Sequence, residues 1–329
     1  MEYCRISLKK VPPGSKYPGY LNPEFKKFFN SLKVNPVLSF SRKDFFRESP
    51  LKSKGMSISG IQHKLSLKVD SQYQLQMTEQ DGTYILKPSP EAFPHAAENE
   101  HCAMLSGMLL KIPTAPCALI SFSDGEPVYI TKRFDRREDQ RIHQEDLVQG
   151  FGIKSDDKYS RSYEEAGRLI HAMVNGKAAV VMDFFKRVVH AYIIGNDDMH
   201  LKNISLQKQP GTRGIYYDHL TPNYDCLSTH AFESMSGSEF LALDLLESEK
   251  EGFFSEAYTR YGFYTASDFR LFGGRIGLRE KPVIKFIEFA RKKEPDFIDL
   301  VKQSYMPVGM KKNVCRVVSE RIKALGYLN

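Results

Sequence analysis

Gly195-Asn196-Asp197-Asp198-Met199-His200-Leu201-Lys202-Asn203 closes a long apolar-faced run, Ala178–Ile194, whose spacing predicts a helix. An Asp followed after four residues by an Asn is what phosphoryl transfer from ATP asks of a loop. One face sets a base beside the attacking hydroxyl, and the other gives an oxygen ligand to Mg²⁺. Asp198 and Asn203 have that spacing. The pair alone is weak, because a solvated Asx turn produces it too. Its meaning depends on the flanking chain.

Downstream, Asp225 stands in Pro222-Asn223-Tyr224-Asp225, after a β-prone run at Ile215–Tyr217. Hard Mg²⁺ prefers oxygen, and Asn203 with Asp225 would supply two ligands for a metal on the β- and γ-phosphates. Lys202 is close enough in sequence to stabilise charge on the transferring group. Upstream, Gly55 to Lys64 is a glycine-serine loop (Ser57, Ser59, Gly60) able to turn backbone N–H groups toward phosphates. Lys87, in Ile85-Leu86-Lys87-Pro88, would reach the α- and β-phosphates from a strand. An acid on the next helix, Glu100 or Glu98, would orient it. The order is loop, lysine, helix acid, Asp-x-x-x-x-Asn, Asp, and it describes a kinase cleft.

Secondary structure divides in the same way. Phe25, Phe28, Phe29 and Leu32 have helical spacing. Leu65–Val69 and Tyr84–Leu86 read as strands with Asp81-Gly82 as the turn between them. Ala96–Leu110 reads as a helix, and Cys117–Phe122 and Pro127–Thr131 as a strand pair about Ser123–Glu126. Past Asp135 the chain turns helical, with Tyr163–Val174, Ala178–Ile194 and several runs beyond Ser238. Strands first and helices later predict an α+β, bilobal, protein-kinase-like fold. Its sheet-rich N-terminal lobe would span 1–134 and its helical lobe 135–329, with a hinge near Lys132–Asp135.

At 41% hydrophobic and 26% charged residues, the 329-residue composition is that of an ordinary globular protein. No apolar run approaches the roughly 18–20 residues of a membrane span, and Met1–Lys10 lacks a signal-peptide core. A cytoplasmic location is the expectation. Cys4, Cys102, Cys117, Cys226 and Cys315 fit neither a disulfide framework nor a zinc site. The charge of +7 suits a solvated surface, or a patch that meets nucleic acid. Glu233, Glu239, Asp244, Glu247, Glu249 and Glu251 read as a solvated helix face.

Five ordered runs, Ser57–Lys64, Lys132–Arg136, His143–Leu147, Gly195–Asn203 and Thr221–Asp225, resemble the HipA-like kinases. The resemblance covers about half the chain. It implies a bilobal kinase-like fold with ATP and Mg²⁺, Asp198 as base, and Asn203 and Asp225 on the metal. Lys87 would meet phosphates, and the backbone around Lys132–Phe134 the adenine. Ser57 and Ser59 map to an autophosphorylation loop, where a phosphate adds about −1.5 to −2 charges. Only 55 residues precede Met56, so the sequence looks like the shorter HipT-type toxin kinases, in which a separate small protein supplies the missing N-terminal subdomain. The resemblance also implies a helix-turn-helix antitoxin as partner, with DNA reached only through it. The implied substrate is an aminoacyl-tRNA synthetase, the tryptophanyl enzyme first. Two other readings fit parts of the pattern. A small-molecule phosphotransferase would need no serine loop. A non-catalytic nucleotide-binding regulator in a DNA-bound complex would need no Asp198.

Overall fold

The computed structural model describes residues 2–48, 64–79, 81–137, 140–232 and 239–328. Ser57, Ser59, Gly60 and Glu233 lie outside the described residues.

The first sheet is antiparallel with strand order β2-β1-β3-β5-β4, formed by β1 (Leu65–Val69), β2 (Leu75–Met77), β3 (Tyr84–Lys87), β4 (Cys117–Ser121) and β5 (Pro127–Lys132). Its two faces follow from the period of two. Ala118, Ile120, Val128 and Ile130 point into an aromatic cluster with Phe25, Phe28 and Phe29 of α1 (Asn22–Phe29) and Phe45 of α2 (Arg42–Glu48). Cys117, Leu119 and Tyr129 point the other way, into a larger core with Ala97, Cys102 and Met104 of α3 (Ala96–Leu109). Buried on both faces, β4 and β5 read as near-continuous apolar runs. The mixed α+β architecture of small antiparallel sheet and larger helical part is as the sequence led us to expect.

The helical part is built around α5 (Tyr163–Met173) and α6 (Ala178–Ile194), preceded by the single turn α4 (Leu147–Gly150). Helices α7 (Glu256–Tyr261), α8 (Ala266–Arg275), α9 (Glu280–Arg291), α10 (Glu294–Gln303) and α11 (Val308–Ala324) follow. Starts are set by side chains: Ser162 with Glu165, and Thr265 with Asp268, form capping boxes on α5 and α8. Helix α6 is apolar on almost every face because it runs through the large core, with Phe184, Phe185, Val188 and Tyr192 fully buried. It stops at Gly195, φ +64°, where a Cβ would meet Val317 at 2.9 Å and His230 at 3.1 Å. A glycine is needed there for both conformation and space. A second sheet, order β10-β9-β8, joins β8 (Gln144–Asp146), β9 (Ser205–Gln207) and β10 (His219–Leu220). A two-stranded ribbon, β6 (Arg136–Arg137) with β7 (Gln140–Arg141), precedes it. No described helix is long and apolar enough to cross a membrane. The cysteines are free, and all but the half-buried Cys315 are buried.

Three expectations are corrected. Leu65–Val69 does not turn at Asp81-Gly82 straight into Tyr84–Lys87, because β2 intervenes and pairs with β1 (Leu67 opposite Met77). Ile215–Tyr217 is not a strand. Ile215 is 79% exposed, and the Tyr217 N–H bonds Met173 O rather than a neighbouring strand. The pairing comes later, with His219 opposite Gln207. The acid-rich stretch is not a solvated helix face: Glu247–Glu251 is a 3₁₀ turn, and Glu249 is buried against the Tyr264 hydroxyl at 2.6 Å. Burial raises the Glu249 carboxyl to about 7.

Candidate active site

Lys87 ends β3, where the register places it opposite Tyr129. Its ammonium donates to Glu100 Oε1 and to Asp225 Oδ1, both at 2.7 Å. Lys87 is almost fully buried and Glu100 completely so. Burial alone would depress the lysine, but Asp225 and then Glu100 override it and hold Lys87 above its ordinary value. Burial likewise opposes ionisation of Asp225, and the Lys87 ammonium wins, holding the carboxyl below the usual range with help from Lys64. The choice between two helix acids is settled in favour of Glu100. Residues two apart on a helix point about 200° apart, and Glu98 instead meets His95 Nδ1 at 3.0 Å.

Helix α3 is locked in the position that this pair requires. Asn99 Nδ2 donates to Ser228 O and Ser228 N–H donates to Asn99 Oδ1, each at 2.9 Å. Farther along, Ser106 Oγ lies 2.8 Å from His190 Nε2 of α6. Asp225 is set by the backbone. Asn223 N–H bonds Pro113 O at 2.7 Å and Ala115 N–H bonds Asn223 O at 2.9 Å, which ties this strip to the chain entering β4. Asp225 itself has φ +57°, a left-handed conformation uncommon for a non-glycine residue and one that concentrates at functional sites.

The Gly195–Asn203 loop is stapled internally. Asn203 Nδ2 donates to Asp198 O at 2.9 Å, and Asp198 N–H donates to Asn196 Oδ1 at 3.0 Å. Asp198 is buried, its Oδ1 accepting from the Tyr159 hydroxyl at 2.9 Å with His200 Nε2 at 3.8 Å. His200 is pushed down to about 4, first by burial and then by the Lys158 charge, so at neutral pH it is an uncharged imidazole. Lys158 Nζ stands 3.0 Å from His200 Nε2 and feels both Asp198 and Asp225. Lys202 does not share that position: it is exposed, with its ammonium 2.9 Å from Ser155 Oγ. Lys158 and Tyr159 were missed in the sequence because a Lys-Tyr pair in a polar loop carries no local signal.

Near the hinge, the Phe134 ring packs on Tyr224 with centroids 5.4 Å apart, and Phe134 O lies 3.4 Å from Gln207 Nε2. Lys132 sends its ammonium to Asn30 Oδ1 at 3.2 Å, while the N–H groups of Lys132 and Arg133 are spent on Pro116 O and Thr83 O. The structure thus gathers Lys87, Glu100 and Asp225 into one cluster, staples Asn203 to Asp198, and sets Phe134 on the residue before Asp225. It leaves the Lys132 and Lys202 side chains pointing elsewhere.

The HipA-like C-terminal domain family matches residues 56–293, and the chain belongs to it. A Haemophilus influenzae protein named "Putative kinase" is 33% identical over the full chain and 99% of its own length. Sinorhizobium fredii "Putative kinase Y4mE" is 30% identical over 55% of this chain and 44% of its own. Among solved structures, Shewanella oneidensis HipA, in a complex with HipB and operator DNA, superposes with a TM-score of 0.67 at 19% identity. That match covers 97% of this chain and 75% of HipA. The Helicobacter pylori proinflammatory kinase CtkA gives 0.52 at 15% identity, covering 84% and 93%. These likenesses establish a kinase-like fold.

Proposed function

We propose that this chain is an ATP- and Mg²⁺-dependent serine/threonine protein kinase, and that it acts as the toxin of a toxin–antitoxin pair. The observation that carries this is the buried Lys87–Glu100–Asp225 cluster, with Lys158 linking Asp225 electrostatically to the Asp198/Asn203 loop. The donor set fits the ligands. Among the described residues no three His, Cys, Asp or Glu side chains are placed to hold a metal by themselves. Mg²⁺ bound with a nucleotide needs only one or two carboxylates beside the phosphates and water, and Asp225 with Asn203 Oδ1 is such an all-oxygen pair. Asn203 and Asp225 would hold the metal, which would supply positive charge against the phosphates during transfer.

The chain's own residues do the rest. Lys87, kept charged and fixed, meets the α- and β-phosphates. Phe134 and Tyr224 with the Lys132–Phe134 backbone receive the adenine, and Ser57, Ser59 and Gly60 cover the phosphates. Asp198 accepts the proton of the attacking hydroxyl, and a lysine ammonium beside it (Lys202 or, by position, Lys158) stabilises the transferring charge. The 1–134 and 135–329 lobes belong to the same proposal, since the cluster joins β3 and α3 to the chain beyond the hinge. Phosphorylation of Ser57 or Ser59 would switch the enzyme off by repelling ATP or expelling the loop. A Ser57→Asp/Ser59→Asp protein that binds ATP as tightly as the unmodified one would refute that.

Family membership and the resemblance to HipT-type kinases support the finer reading. Its parts are a helix-turn-helix antitoxin, a small separate N-subdomain-like protein, a cytoplasmic setting and an aminoacyl-tRNA synthetase substrate, tryptophanyl first. The test is transfer from labelled ATP with Mg²⁺ into a bacterial lysate stripped of small molecules, comparing the protein with Asp198→Asn. A synthetase-sized labelled band lost in the variant supports the reading. Label on no protein, or only on small molecules, moves it to a regulator or a small-molecule phosphotransferase.

A further inference from the structure

Residues Ser155–Tyr163, which lead into α5, meet every residue of the catalytic loop from 198 to 202. The Tyr159 hydroxyl donates to Asp198 Oδ1 at 2.9 Å, and the Tyr163 hydroxyl donates to Met199 O at 2.8 Å. The Lys158 ammonium lies 3.0 Å from His200 Nε2, and Leu201 N–H donates to Lys158 O at 3.2 Å. Lys202 Nζ donates to Ser155 Oγ at 2.9 Å. The segment is itself anchored by the Ser162 capping box and by Tyr163 N–H on Asp244 O at 2.8 Å.

Tyr159 stands out among these contacts. The residue is 44% exposed, yet its hydroxyl is directed to a buried carboxylate. Its ring sits edge-on to His200 at 5.1 Å and beneath the Lys158 ammonium at 5.0 Å, which fixes the phenol's direction. Burial of the ring does not account for that placement. The terminal torsion of an aspartate is broad and roughly two-fold, so a directed donor on Oδ1 narrows the orientations open to the carboxylate. A misplacement of about 1 Å at a reacting group costs on the order of 10²-fold in rate.

We propose that Tyr159 is a positioning residue for Asp198, holding Oδ1 so that the other carboxylate oxygen faces the incoming hydroxyl. The proposal rests on Asp198 being the base of the transfer reaction. Tyr159 keeps its proton throughout and exchanges nothing with the substrate.

The test is Tyr159→Phe in the full chain, which retains the ring and removes the hydroxyl. The expected result is kcat lowered roughly 10- to 100-fold, with the KM for ATP and the melting temperature unchanged. An unchanged kcat overturns the proposal. So does a loss carried by the KM for ATP or by melting temperature, which would mean a structural role. Phosphotyrosine at 159 after incubation with ATP overturns it too, making Tyr159 an acceptor. If the parent protein transfers no phosphate, the kinase reading has failed, and crystal structures of the parent and Tyr159→Phe proteins decide the Tyr159 contact separately. An Asp198 carboxylate turned in the variant upholds the contact, and one left in place refutes it.

Discussion

Lys87 is held by charge, through two 2.7 Å ion pairs, one of them spanning 138 residues of chain. Asp198 is held differently, by a tyrosine hydroxyl on its side chain and by side-chain amides on its backbone. In the first cluster two carboxylates compensate one ammonium, so its geometry is stored as buried electrostatics. In the second, the Tyr159 hydroxyl that donates to the carboxylate is uncharged and the adjacent imidazole is neutral at pH 7. An anchor for phosphates has to keep its charge and place. A base has to keep its ability to take a proton, and a tight ammonium partner would abolish it. Each half of the site carries the kind of bond that its proposed task tolerates.

The contrast is broken most severely at Asp198. Asp198→Asn should lower transfer by on the order of 10²–10⁴-fold, while thermal stability and nucleotide affinity stay at parental values. Activity assays beside calorimetry check both halves of that statement. Lys87→Met should act through stability, because it strands two buried carboxylates. Breaking a buried pair in this way costs about 3–5 kcal/mol. The pH dependence has a defined sign. The contribution of Lys87, whose pKa is raised, is present below the unfolded value near 10.4 and lost as pH rises through the folded one. That of Asp225, whose pKa is lowered, is present above about 3.9 and lost as pH falls through its folded value. The destabilisation by Lys87→Met should therefore be greatest between about pH 4 and 10 and shrink in acid, as denaturant titrations at several pH values would show.

Smaller effects sharpen the comparison. Asn99→Ala removes both bonds to Ser228 and leaves a buried N–H and carbonyl to find new partners, at a cost of about 1–3 kcal/mol. Chemical denaturation reads that loss, and weaker nucleotide binding should accompany it. Lys202→Ala should leave kcat within about fivefold, since its exposed contact is worth at most about 1 kcal/mol. Lys158→Ala, beside both Asp198 and Asp225, should cost more in the same assay. The reverse order would return the phosphoryl-facing role to Lys202.

Much of this architecture was legible in the chain itself, wherever the signal was local. Ala96–Leu109, Tyr163–Met173 and Ala178–Ile194 announce themselves by periodicity and end at visible breakers. Strand β2 was invisible because Leu75–Met77 is short and sits among glutamines. Ile215–Tyr217 misled because β-propensity reports a fit to a half-buried pleated surface, and Ile215 faces water. Within the site, the spacing of Asp198 and Asn203 and the order of Lys87, helix acid and Asp225 were legible. Which acid faced Lys87 was not, because helix rotation is fixed by packing and here by the Asn99–Ser228 lock. Lys158 and Tyr159 stand about 40 residues before the loop that they hold, 39 for the Tyr159–Asp198 bond. A contact at that separation leaves no mark in local spacing.

The Asn99–Ser228 lock has one more consequence. It joins the helix that carries Glu100 to the strip that carries Asp225, and so holds the two acids of the ion-pair cluster in place together. A machine built this way has no idle gear in that helix: swinging it outward would tear two buried hydrogen bonds and strand a charge. Restraint of the proposed activity then falls on the cleft, on what enters it and what is laid across it, rather than on the placing of that helix. Control by occlusion takes the place of control by assembly.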